Sequence, residues 1–219
     1  MQKTTFLFLL LFVFSLDTIA QIEEKRYKNE FSLNLTNALA KFSGNRLLLS
    51  SPDEPYVFGF KSALSKKENP KYMRFGINGD YVESNDFRNF ATFNTTSFIS
   101  ASLGLEERIK IQKTLVFFYG IDLFYFNKQE TTVSTVFTPK TFDIKLQNSR
   151  EIFGLSPLFG INWEVIKRVR IFTESYIRIN TELISRTLEE DGFKQSLEKT
   201  QQYKLSVFMP STIHVSIAF

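Results

Sequence analysis

Apolar side chains return at every second position in eight separate stretches between Phe31 and the last residue, and no other feature constrains the fold as strongly. A period of two puts successive side chains on opposite faces of a strand, whereas a helix needs a period near 3.6. Phe31, Leu33, Leu35 and Leu39 alternate with Ser32, Asn34 and Thr36. Tyr56, Phe58 and Phe60 face away from Val57, Gly59 and Lys61, and Met73, Phe75, Ile77 and Tyr81 oppose Arg74, Gly76, Asn78 and Asp80. Ile99, Ala101, Leu103 and Leu105 oppose Ser100, Ser102, Gly104 and Glu106. In the fifth stretch Leu115, Phe117, Tyr119, Ile121, Leu123 and Tyr125 lie on one face, with Val116, Phe118, Gly120 and Asp122 on the other. Phe159, Ile161 and Trp163 oppose Gly160 and Asn162; Ile171, Ile177 and Ile179 oppose Arg170, Glu174, Arg178 and Asn180. The eighth stretch runs from Leu205 and Val207 to Phe219. One face is apolar throughout, while the other collects glycine, hydroxyls and charge.

A soluble sandwich also alternates, because it hides its apolar faces between two sheets. Connection lengths argue for another architecture. Connections 65–71, 108–113 and 165–169 are brief, whereas 40–55, 83–93, 127–149 and 181–203 are longer and mostly polar. Short and long therefore alternate strictly, as in a membrane barrel with tight turns on one side and larger loops on the other. Residues 132–137 and 142–146 still alternate inside the third long connection, so two strands extend beyond the membrane as a hairpin around Pro139. The expected fold is an all-β, antiparallel, up-and-down transmembrane barrel of eight strands, with ten as the alternative count.

Composition removes the competing classes. With 219 residues, no cysteine, 43% hydrophobic content and 9 Gly, this is neither a disulfide-stapled mini-protein nor a disordered or collagen-like chain. The net charge of +4 is scattered, which gives no footprint for nucleic acid.

Each end carries an address. Met1, Gln2 and Lys3 form a short positive start, residues 4–16 are an apolar run, and Thr18 and Ala20 put small residues at the −3 and −1 positions of a cut before Gln21. The run is too short for a spanning helix, which needs roughly 20 residues. Residues 1–20 are therefore expected to be a cleaved signal peptide and 21–219 one barrel domain. At the other end Ile213, Val215, Ile217 and Phe219 share one strand face. This resembles the C-terminal assembly signal of bacterial outer-membrane β-barrels, which implies transient contact with the barrel assembly machinery. Signal, alternating segments, short-long connections and aromatic terminus together resemble the small outer-membrane β-barrel proteins of Gram-negative bacteria, with OmpA/OmpX-like architecture. Segments 55–61 and 72–78 are also similar to functionally obscure barrels of this size. The resemblance spans the whole mature chain and implies no catalytic or binding residue.

An eight-strand barrel has an interior that side chains can fill. The inward set includes Lys61, Arg74, Asp80, Glu106, Asp122, Glu174 and Arg178, three positive and four negative. An unpaired charge in such a lumen is costly, so these are expected to pair into a plug, with Arg74 and Glu106 in contact and Lys61 and Glu174 completing a neutral lower layer. A gated pore or a ligand pocket is the alternative. His214, the only histidine, lies two residues from Ser216 on the inward face and reads as a lumen residue rather than as half of a nucleophile pair. One His without Cys provides no ordinary zinc set, calcium-loop spacing is absent, and no phosphate-cradling glycine loop is visible, so no cofactor is expected. Trp163, Tyr72 and Tyr125 near strand ends read as aromatic girdles.

The reading that follows is a non-enzymatic integral protein of the outer membrane, structural, adhesive or complex-forming through long extracellular loops. Its expected partners are outer-membrane lipid and a protein met by those loops. A lipid-modifying enzyme or a small-solute transporter is the alternative.

Overall fold

The computed structural model describes residues 28–36, 57–65, 70–86, 91–136, 142–190, 192–209 and 213–219. The signal-peptide reading and connection 40–55 lie outside them. Each alternating stretch is a strand: β1 (Asn29–Asn34), β2 (Phe58–Ala63), β3 (Lys71–Asp86), β4 (Ala91–Lys110), β5 (Leu115–Val136), β6 (Phe142–Ile166), β7 (Val169–Glu190), β8 (Phe193–Phe208) and β9 (His214–Ala218). Every pairing is antiparallel, seven of them join neighbours in the chain, and the sheet closes because β9 pairs with both β1 and β7.

β8 and β9 occupy one position in the ring: β8 pairs with the upper part of β7 and β9 with its start. The wall therefore has eight strand positions, not ten. The expected continuous eighth strand is in two pieces, and the sequence puts Pro210, which has no N–H for a ladder, between them. Following the register from Leu33 through Phe58, Ile77, Ala101, Tyr125 and Phe153 reaches Thr181 on β7. The other way, through Val215, it reaches Ile171. The ring thus climbs ten residues per circuit (181 − 171), a shear that tilts eight strands by about 43° and sets a radius of about 8 Å. That leaves room for side chains and little else.

Two features depart from the sequence reading. The long connections are largely strand: β3 runs to Asp86, β5 and β6 pair up to Val136 and Phe142, and β7 and β8 pair up to Glu190 and Phe193. The extension of β5 and β6 matches the hairpin expected from the alternation at 132–137 and 142–146, whereas in 83–93 and 181–203 wall stands where loops were expected. Tyr72 is also no girdle residue, for it is buried inside the barrel while its neighbour Met73 faces out.

The facing itself follows the parity. Ile121 and Leu123 on β5 are exposed, Leu123 to 61%, whereas Phe118 at 0% and Asp122 are buried. Exposed Phe31, Phe58, Phe75, Leu103, Ile161 and Ile179 continue the apolar belt around the barrel. From Leu115 to Tyr125 the belt is about 24 Å tall at 3.3 Å per residue and that tilt. Tyr81, Tyr125 and Tyr203 mark its upper edge, and Trp163 and Phe219 its lower edge, where both chain ends of the barrel lie.

Candidate functional site

The charges expected inside the barrel are brought there by strand parity, and most converge in its lower half. Lys61 on β2 and Arg74 on β3 stand opposite each other in the ladder, and both reach Glu106 on β4, at 2.7 Å and 3.2 Å. Arg74 goes further across the lumen: its Nη2 donates to both oxygens of Glu174 on β7, at 2.9 Å and 3.3 Å. Its Nε lies 3.2 Å from Asp122 Oδ1, within ion-pair range though not aligned as a hydrogen bond. One guanidinium thus serves three carboxylates, all of them buried. Arg178 and Asp80 lie higher in the lumen. Asp80 accepts the Tyr81 N–H at 2.9 Å, and the Arg178 guanidinium lies over the rings of Phe124, Tyr176 and Phe208 at 4.3, 5.2 and 5.1 Å.

Three members of the cluster lie outside the charge set expected in the lumen, although the alternation already places Arg170 on the inward face. Arg108 donates to Glu106 at 2.7 Å and pairs with Glu30 at 2.8 Å, and Arg170 donates to the same Glu30 oxygen at 2.8 Å. The signal that would have found them is the same parity: Glu30 precedes outward Phe31, and Arg108 follows Glu106 by two. With them the lower cluster holds Lys61, Arg74, Arg108 and Arg170 against Glu30, Glu106, Asp122 and Glu174, four charges of each sign.

Aromatic rings fill the space around these charges. The Lys61 ammonium sits 4.9 Å from the centre of Phe118 and 4.4 Å from that of Phe172, and the Arg108 guanidinium lies 4.0 Å over Tyr72. His214 stacks on Phe172 at 4.6 Å with an interplanar angle of 9°. It lies fully inside the wall with Ser216, so neither faces the apolar belt. Phe98, Phe126 and Ile152 form a further apolar layer above Arg178. Higher still, Glu182 pairs with Arg150 and with Lys204, the latter at 2.5 Å. Burial pushes the Glu182 carboxyl up, but the hydrogen bonds from Arg150 and Lys204 outweigh this and hold it below the usual carboxylate range.

Small residues let the wall accommodate the network. At Gly104 an added methyl would collide with Asp122 Oδ1 and the Ile121 carbonyl, so a bare Cα is what admits the carboxylate that faces Arg74. Among the described residues no group of His, Cys, Asp and Glu is arranged to hold a metal ion. Arginine and lysine shared between carboxylates, inside a ring of strands about 8 Å in radius, can do two things chemically: neutralise one another and exclude a continuous column of water. Comparison with family models, with curated proteins and with solved structures finds no match to this chain.

Proposed function

We propose that this chain is an integral β-barrel of an outer membrane, non-enzymatic, with a lumen closed by paired charges and its specific contacts made by the wall that rises above the apolar belt. The observation carrying this reading is the inversion of the usual order: large apolar side chains cover the outside of a closed ring, and arginine, lysine and carboxylates fill the inside. Water favours the opposite arrangement, whereas hydrocarbon favours this one. The exposed apolar side chains of Ile213 and Phe219, beside and after the ring-closing strand β9, continue that covering. The sequence-based expectation of loops as the recognition element becomes one of strand hairpins, β3–β4, β5–β6 and β7–β8, which carry polar residues on both faces beyond the belt.

Purified and folded into bilayer vesicles, the chain should migrate faster on a gel unboiled than boiled, and planar bilayers containing it should show no discrete conductance steps. Ile121→Arg, which puts a charge near the middle of the belt, should cost about 2–4 kcal/mol of stability in denaturant titrations from vesicles. Identical migration with and without boiling, together with a neutral Ile121→Arg, would remove the membrane reading. Stepwise conductance would instead favour the small-solute pore.

A further inference from the structure

We infer that the lower rim of the barrel binds the phosphate headgroups of anionic phospholipid, so that the protein prefers such lipid in the leaflet at the end where β1 begins and β9 ends. The inference rests on the membrane reading above and adds a lipid class and a leaflet to it.

The two edges of the apolar belt differ in charge. Around the lower edge, Lys28, Lys71, Lys110, Lys113, Lys167 and Arg168 lie at or beside the short turns, all but Arg168 exposed. Among the described side chains Glu107 and Glu164 stand against them; Glu107 is 3.8 Å from Lys71, and Glu164 is 3.5 Å from Arg170 of the lumen cluster. At the upper edge the outward positions that follow the last apolar residues are Glu83, Ser97, Asn127, Glu151 and Thr181, with carboxylates and no cation among these.

The lower cations are also mixed with exposed apolar side chains. Ile109 and Ile111 flank Lys110, and Val165 and Ile166 precede Lys167. A lysine in that setting lays its stem along apolar surface and presents its ammonium at the level where phosphates lie. The β6–β7 turn is fixed: Arg168 is held at φ 77°, and its carbonyl accepts the Ala218 N–H at 2.8 Å, which ties the turn to the closing strand. The turn tips are thus built of apolar residues that enter the interface and cations that meet anions there. Acidic outward positions at the other edge would repel the same headgroups.

The test measures lipid selectivity directly. The protein in phosphatidylcholine vesicles is probed with trace spin-labelled phosphatidylglycerol or spin-labelled phosphatidylcholine, and the fraction of each immobilised against the barrel is read. Phosphatidylglycerol should be preferred about fivefold at low salt, the factor that the attraction of one cation near a phosphate surface corresponds to, and the preference should collapse in about 1 M salt. The triple variant Lys110→Gln, Lys113→Gln and Lys167→Gln, checked for folding by its migration unboiled, should lose most of the preference; Lys→Arg at the same positions should keep it. A preference near one in the unaltered protein, or one that the triple Gln variant leaves intact, overturns the inference while the membrane reading stands. No immobilised lipid of either kind overturns both.

Discussion

Arg74→Ala should lower stability by about 3–5 kcal/mol, the loss expected when one partner of a buried ion cluster is removed and the others stay charged. The size follows from the three carboxylates that this guanidinium holds, Glu106, Asp122 and Glu174. They do not depend on it equally. Glu106 keeps Lys61 at 2.7 Å and Arg108 at 2.7 Å, whereas both hydrogen bonds to Glu174 come from Arg74. Adding Glu174→Gln to Arg74→Ala should therefore recover a good part of the loss, and adding Glu106→Ala should recover less, because it strands Lys61 and Arg108 in turn. Denaturant titration of the three single and two double variants from vesicles gives the two coupling energies. Strictly additive losses in both cycles would refute the paired plug, and conductance in the Arg74→Ala variant would identify the cluster as the barrier to ions.

Removing Phe219 should cut the yield of folded, membrane-inserted protein, and for two separable reasons. Its N–H donates to the Asn29 carbonyl at 2.8 Å and its carbonyl accepts the Asn29 N–H at 3.0 Å, so the deletion takes away the last two backbone bonds that close the ring. At about 1 kcal/mol each, these amount to roughly a thirtyfold shift toward the open ring. The exposed side chain is the other reason on the proposed reading, in which assembly factors recognise the apolar face of β9. Phe219→Asp keeps the backbone bonds and destroys the aromatic end, while Phe219→Tyr keeps both. Comparison of unboiled, fast-migrating protein in envelope fractions should rank the original and Tyr forms together, with Asp and the deletion far below. Normal assembly of the Asp form would mean that the terminal residue acts only by closing the ring.

Much of this fold could be read from parity, and the failures occurred where parity stops carrying information. Between the apolar outer belt and a packed lumen each side chain belongs to one of two unlike faces, so the sequence must alternate, and the facing of β5 follows from Leu115 to Tyr125 without further help. Above the belt both faces meet water. Thr181, Glu182, Ser185, Arg186 and Thr187 then suit either side, and a stretch of real strand has the composition of a loop even though its ladder with β8 continues. Tyr72 was misjudged for a different reason: its place near a strand end outweighed its parity, which pointed inward. Glu30, Arg108 and Arg170 were legible but were not gathered, because a partner search along the sequence does not show that shear brings the start of β1 beside β4 and β7.

The same two-valued geometry governs how such a chain can change in length. One residue gained or lost within the belt would turn every later side chain of that strand from the outer face to the lumen. The two places where the strand register shifts, between Glu164 and Ile166 and between Arg186 and Thr187, lie at the lower turn and in the wall above the belt. Within the belt, even Pro157 is absorbed without a slip, for Ile121 still faces it on β5 and the β6–β7 ladder resumes in phase at Leu158 and Tyr176. Descendants of this sequence should therefore drift by single residues only at the tips and rims, and inside the belt by compensated pairs, so that an alignment of distant kin would show gaps confined to two horizontal bands of the barrel.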